Sequence, residues 1–338
     1  MKMAGLLATL LALFLLGCRT LQTPTEILTR DAFTWGVALE GYPLTSERLR
    51  AVNQEIGIPS DRVVFFMLWP EQGNLPGAFP QETLNAIHAE GALPCLTWEP
   101  MVLKDGHEVA IPARAILDGA YDTFIKAFAK EAAQWKKPLL IRFAHEMNLS
   151  RYHWGGTLEE YGPKTPELYR QMFRHVVALF DQQKAHNVLW AFCPNAESVP
   201  RAEWNTISAY YPGDDVVDCL GLDGYNWGTT QTLEKHGWNS RWQTFGEIFC
   251  HPAFEITRLA PDKPLIIFET ASVAQNGRQP AWLSNALETA EPFEIKGITW
   301  FHANKENDWR LQPESARALQ LKLQDKNMRC YEKSRAVE

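Results

Sequence analysis

The chain is short of positive charge. Its 33 Lys and Arg are outnumbered by 40 Asp and Glu, a formal net charge of −7, and no basic run interrupts that balance. Binding nucleic acid requires a basic face to neutralise phosphates, so no nucleic-acid partner is expected. Metal signatures are scarce as well. Six Cys occur in 338 residues and none forms a CxxC pair, which speaks against a zinc site and against a disulfide framework. His145-Glu146 does not open an HExxH helix, because position 149 is Leu. There is no GxSxG elbow, no Walker A loop and no GxGxxG behind a strand, so elbow hydrolases, NTPases and dinucleotide enzymes are excluded. No spacing of His, Asp and Glu is typical of a metal site, so no metal is expected. Beyond residue 31 there is no Gly/Ser-rich or Pro-rich linker and no short-period repeat, which points to one folded domain.

Long apolar runs are also few. The one that stands out, Leu6 to Leu16 after Lys2, is too short to span a bilayer and has the proportions of a secretory signal. Leu15-Leu16-Gly17-Cys18 resembles a bacterial lipobox, which implies cleavage before Cys18 and a lipid on that cysteine. The expected layout is a signal peptide over 1–17, a lipidated tether over 18–31 and a folded domain over 32–330. The protein would then be exported, held to a bacterial membrane (outer membrane or cell surface) through its N-terminal lipid alone, and monomeric.

What the chain does have is core-forming residues: 46% are apolar and 22% charged, with 13 Trp. That is enough to bury a core, and flat rings serve both cores and sugar stacking. Eight apolar, largely β-branched and aromatic runs read as strands buried on both faces: Phe33–Leu39, Arg62–Trp69, Ala92–Trp98, Pro138–His145, Asn187–Cys193, Val216–Asp223, Lys263–Glu269 and Lys296–Phe301. Helical patterns lie between them. One follows Thr45, carries Leu49, Val52 and Ile56 at helical spacing and stops at Gly57. Others run from Pro80 to Glu90, from Tyr121 to Trp135, and from Thr165-Pro166 onward. Eight strands alternating with helices predict an α/β fold, a (β/α)8 TIM barrel, because no pair of less apolar edge strands is visible.

A barrel carries its chemistry at the C-terminal ends of its strands. Those ends read Trp98-Glu99-Pro100, His145-Glu146-Met147-Asn148, Pro194-Asn195, Asp223 to Trp227, Glu269-Thr270 and Trp300-Phe301-His302. Two carboxyls on facing strands are what glycoside hydrolysis needs, one as acid and one as nucleophile. Glu146 and Glu269 are the candidates. Period-two alternation from Glu146 points Arg142 into the barrel, where Glu269 is its natural partner, and Tyr225 can donate to Glu269 from the neighbouring strand. Asn195 is a candidate for the sugar 2-hydroxyl and Glu99 for a substrate hydrogen bond or an ion pair. Trp98, Trp154, Trp227 and Trp300 are candidate sugar platforms or core residues.

Arg142 to Asn148, Tyr211 to Asp215, Gly221 to Gly228 and Lys263-Pro264 through Ser272 closely resemble glycoside hydrolase family 26, the β-mannanase family. The resemblance runs from about Trp35 to Arg310 and includes Leu96 to Pro100, Trp190 through Asn195, and Asp308 to Arg310. It implies a retaining endo-acting enzyme on β-linked polysaccharide that uses no cofactor, with Glu146 as acid/base, Glu269 as nucleophile, His145 and Tyr225 orienting the nucleophile, and Trp300 as the platform beside the scissile bond. One departure is Arg151, which stands about where the family carries a Trp. β-1,4-Mannan is the leading substrate; mixed-linkage β-glucan, β-1,3-xylan and a binding-only lipoprotein are the alternatives.

Overall fold

The computed structural model describes residue 28 and residues 33–71, 79–154 and 162–335. The expected signal peptide, Cys18 and, but for Leu28, the tether lie outside them. In chain order the elements begin β1 (Thr34–Leu39), α1 (Ser46–Ile56), β2 (Arg62–Leu68), α2 (Gln81–Ala89), β3 (Leu93–Glu99), β4 (Met101–Lys104), β5 (His107–Ala110), α3 (Ala113–Leu117), α4 (Asp122–Trp135) and β6 (Leu139–Phe143). They continue with α5 (Thr165–Gln182), β7 (Val188–Phe192), α6 (Ile207–Tyr210), β8 (Cys219–Asn226), α7 (Leu233–His236), α8 (Phe245–Leu259), β9 (Leu265–Ser272), α9 (Gln279–Ala290), β10 (Ile295–Phe301) and α10 (Pro313–Arg335). Eight parallel strands close into a barrel in the order β1-β10-β9-β8-β7-β6-β3-β2, the (β/α)8 architecture that the alternation predicts.

Local chemistry explains some of the element ends. The Thr45 side chain accepts from the Arg48 N–H at the start of α1, and Gly57 closes it at φ 74°, where a side chain would be strained. The sixth and seventh barrel strands run three residues past their expected ends, because Tyr225 pairs with Ala271 and Asn226 with Ser272. Two further elements carry local signals that the apolar pattern does not reveal. Thr244 and Glu247 form a reciprocal capping box at the head of α8, a T-x-x-E signature. Asp105-Gly106, both at positive φ, turns β4 into β5 as Asp-Gly pairs do in tight hairpins.

Alternation along each strand sorts side chains between the barrel interior and the outer, helix-facing core. Trp98, an expected sugar platform, falls on the outer face. It is fully buried and packs outward against Trp69, Phe128 and Phe143, with centroids at 4.9, 4.6 and 6.2 Å. It fills the core beneath α4 and is not a sugar platform; its neighbours Thr97 and Glu99 take the inward positions. Inside the barrel, Phe268 lies between two arginines, with the Arg62 and Arg142 guanidinium carbons each 5.5 Å from its ring centroid. Gly221 makes room for that ring: a Cβ there would come within 2.5 Å of Phe268.

Candidate active site

At the mouth of the barrel, β6 stops at Phe143 and the chain leaves through two non-glycine residues in the left-handed region, Ala144 at φ 47° and Glu146 at φ 50°. Each such residue costs on the order of 1–2 kcal/mol. Cross-strand bonds hold the distortion in place: the Ala144 N–H donates to the Trp98 carbonyl at 3.1 Å, and the Glu146 N–H to the Cys193 carbonyl at 2.8 Å. Simple alternation past Phe143 is therefore not what aims Glu146; the twisted exit does so. Its neighbour loop is locked to it, since Asn148 Nδ2 donates to the Asn195 carbonyl at 2.9 Å and Asn195 N–H donates to Asn148 Oδ1 at 2.8 Å. Asn195 Nδ2 then donates to Glu146 Oε1 at 2.6 Å. Burial, and next the nearby Glu269, push the Glu146 carboxyl up to about 7, against the pull of Asn195, Arg142 and Tyr152.

Glu269 reaches the same mouth by a different device. The pairing of β9 slips by one residue against both of its neighbours between Ile267 and Glu269 or Thr270, a bulge that lets both Phe268 and Glu269 face inward. Bulges re-aim side chains in this way next to active sites. Arg142 Nη2 donates to Glu269 Oε1, and the Tyr225 hydroxyl donates to Oε2 at 2.6 Å. Guanidinium has no acceptor, so the oxygen facing it must accept. Arg142 also donates from Nη1 to both oxygens of Asp223 at 2.9 and 2.8 Å. Burial works against its charge, but Asp223 and Glu269 outweigh it and hold the guanidinium well above its ordinary range. His145 Nε2 lies 3.9 Å from Glu269 Oε1, beyond hydrogen-bond length. Burial, then Arg142, keeps that imidazole well below its ordinary titration, hence neutral.

Glu146, Glu269, Asn195, Tyr225 and Glu99 all line one cavity of about 1390 Å³. Glu99 is pushed up to about 8 by burial and then by Glu269, with Lys305 and Arg142 opposing. Two expected platforms do not line it. Trp300 is fully buried; its Nε1 donates to the Trp309 carbonyl at 2.8 Å and its ring packs 6.0 Å from Trp282. On β10 the inward positions belong to Gly297, Thr299 and Phe301, so Trp300 faces outward and Phe301 meets the cavity. Trp154 is buried too, donating to the His145 carbonyl at 2.7 Å beneath the stacked ring of Tyr152 at 4.6 Å. It supports the exit of β6 instead of receiving a sugar. Trp227 and Trp309 line the cavity. Arg151 pairs bidentately with Glu108 of the β4–β5 hairpin at 2.8 and 2.9 Å and lies 5.1 Å over Tyr152, tying that hairpin to the loop beside Glu146.

Sequence reasoning passed over Asp223, Asn148 and Tyr152 as site-building residues. Asp223 carried a signal, being an acid inside an apolar strand two positions before Tyr225 and so on the same face. Ligand atoms of His145, Asp223 and Glu269 lie within 4.8 Å of one another, close enough to hold a cation. The Arg142 guanidinium already donates to both of those carboxylates, so an ion there would meet a like charge that the fold has buried.

A sequence profile of glycosyl hydrolase family 26 matches residues 114–291. Endoglucanase H of Acetivibrio thermocellus is 33% identical over 229 residues, 67% of this chain and 23% of that protein. A mannan endo-1,4-β-mannosidase of Bifidobacterium adolescentis is 29% identical over 160 residues, 43% of this chain and 15% of that protein. The chain thus spans less than a quarter of the length of either relative. Among solved structures, a family 26 β-mannanase from Bacteroides ovatus superposes with a TM-score of 0.61 at 20% identity, covering 88% of this chain and 90% of that one. An endo-β-1,4-mannanase of Cellulomonas fimi gives 0.62 at 18%, covering 89% and 74%; at such identities the likeness concerns the barrel alone. With more than half of its length under the family profile, and with the two glutamates at the exits of its fourth and seventh barrel strands, this chain belongs to glycosyl hydrolase family 26.

Proposed function

We propose that the protein is a retaining endo-β-glycanase, acting on β-1,4-mannan by double displacement. The observation that carries this reading is one cavity holding two glutamates in opposite surroundings: Glu146 is buried and raised toward neutrality, while both oxygens of Glu269 accept from fixed donors. Glu269 attacks the anomeric carbon as Glu146 gives its proton to the departing glycosidic oxygen, leaving a glycosyl ester on Glu269. Glu146, now a carboxylate, takes a proton from water, which attacks the same carbon and releases Glu269. Arg142 and Tyr225 act as positioning residues for the nucleophile. Glu99, protonated at neutral pH, is a hydrogen-bond donor to a sugar hydroxyl, and Asn195 serves Glu146 and the sugar side by side.

The mannosidase relatives support mannan. Endoglucanase H, the more identical relative, favours a second reading in which β-glucan is the substrate. A panel of galactomannan, barley β-glucan, lichenan and β-1,3-xylan, followed by reducing-sugar release, separates the two. No release from any of the four would leave only a carbohydrate-binding barrel.

Glu146 sets the alkaline limb of the pH profile. Glu146 must be protonated to act, so kcat/KM is expected to fall about tenfold per pH unit as pH rises through about 7. Asn195 donates to the charged form and pulls the value down, so Asn195→Ala should move the alkaline limb to higher pH while lowering the maximum rate. A limb that stays in place or moves to lower pH would contradict the assignment of Glu146.

We also propose that a monomer is exported and lipidated at Cys18, supported by the lipobox-like stretch before it. Cys18→Ala should shift the protein from the detergent-soluble membrane fraction to the aqueous one with unchanged specific activity. An unchanged distribution would exclude the anchor.

A further inference from the structure

The cavity is larger than cleavage of one bond requires. Pockets for small ligands occupy about 300–1,000 Å³, against about 1390 Å³ here. Trp238, on the loop between α7 and α8, is part of its wall. The ring is 44% exposed, and among the described residues it is the only Trp among the exposed large apolar side chains. Tyr42 and Phe254, the other exposed rings, do not line the cavity.

Trp238 is connected to the catalytic mouth through rings. It stands edge-on to Trp227 at 5.6 Å and 81°, Trp227 stands edge-on to Trp309 at 4.8 Å and 85°, and Trp309 lies 5.1 Å from Tyr225. Tyr225 donates to Glu269. The loop beneath Trp238 is tied down: Leu233 N–H donates to Asn239 Oδ1 at 2.8 Å, Gln231 N–H to Ser240 Oγ at 3.0 Å, and Ser240 N–H to the Gln231 carbonyl at 3.1 Å. An indole held in place at the end of such a row offers a flat apolar face without an ordering cost on binding. One face of a hexopyranose is a plane of C–H bonds that packs on a flat ring and removes both from water.

We propose that Trp238 is the platform of a distal sugar subsite, so that the cleft grips a β-linked chain away from the bond being cleaved. This rests on the glycanase reading. Its mark is a preference for long chains: Trp238→Ala should lower kcat/KM on galactomannan or barley β-glucan about tenfold more than on the matching trisaccharide, mainly through KM, with Trp238→Phe largely restoring the ratio. Binding supplies a second measurement. In a Glu146→Gln background, native gels cast with the same two polysaccharides should retard the protein, and Trp238→Ala should weaken that retardation by a similar factor. An unchanged polymer-to-trisaccharide ratio together with unchanged retardation overturns the subsite while leaving the glycanase reading standing. A wild-type protein that neither cleaves nor is retarded by either polysaccharide overturns both.

Discussion

Glu146→Ala is expected to lower turnover of the preferred polysaccharide by about 10²–10⁴-fold, the usual worth of a positioned general acid and base. Glu269→Ala should cost more, because the covalent path itself disappears and only binding and positioning remain. The two losses should differ in kind. An aryl glycoside with an acidic phenol as leaving group needs no proton, so the Glu146 variant should still form its glycosyl ester and stall there, releasing one equivalent of phenol in a burst. The Glu269 variant should release none. Near-wild-type polymer turnover in either variant, with unaltered thermal unfolding, would end the double-displacement reading. So would identical behaviour of the two variants toward the activated substrate.

The largest loss of stability is expected from Arg142→Met. The side chain is fully buried and donates to Asp223 and Glu269 together. Removing the cation leaves two buried carboxylates facing each other, and breaking a buried ion pair in this way typically costs about 3–5 kcal/mol. For a domain of this size that corresponds to a fall in Tm on the order of 5–10 °C. Acid should relieve the defect, because protonation removes the stranded charges, so the gap to wild type should narrow as pH falls. Arg142→Lys keeps the charge but loses the fork that reaches both partners, and should lie between the two. A variant that melts within about 1 °C of wild type at neutral pH would mean that the guanidinium is not the cation these acids depend on.

Glu146 also links pH to stability. Its carboxyl is raised from 4.5 to about 7 in the folded protein, so the unfolded chain loses that proton first. Below about 4.5 the group contributes nothing; as pH rises toward 7 it costs the fold progressively more, on the order of 3 kcal/mol above that. A destabilising acid kept in a strained backbone position is a common signature of a residue retained for chemistry.

Much of this was legible in the residues. Apolar runs buried on both faces read as strands, and all eight barrel strands form where such runs occur. Glycine and threonine end and begin α1 as their backbone chemistry requires. Glu146, Glu269, Tyr225, Asn195, Glu99 and Arg142 come together at one mouth because a parallel barrel gathers every strand exit on one face. Arg142 meets Glu269 as expected, although the alternation counted back from Glu146 crosses the twisted exit at Ala144.

Facing was not legible, since a side chain's direction depends on register and a single extra residue reverses it. The bulge at Phe268 and Glu269, set by pairing with two neighbours, turns both side chains inward; no local motif announces it. The left-handed exit at Ala144 and Glu146 is held because carbonyls on either side, those of Trp98 and Cys193, accept its hydrogen bonds. Trp98, Trp154 and Trp300 have the composition of sugar platforms and the positions of core residues, and burial by distant helices and loops decides between the two. Asp223 becomes the second anchor of Arg142 through a neighbour 81 residues away in the chain. Thus sequence determined the elements, their order and the acids at their ends. Tertiary packing decided which rings meet solvent and which charges share a guanidinium, because those properties belong to pairs of surfaces that meet only after the barrel has closed.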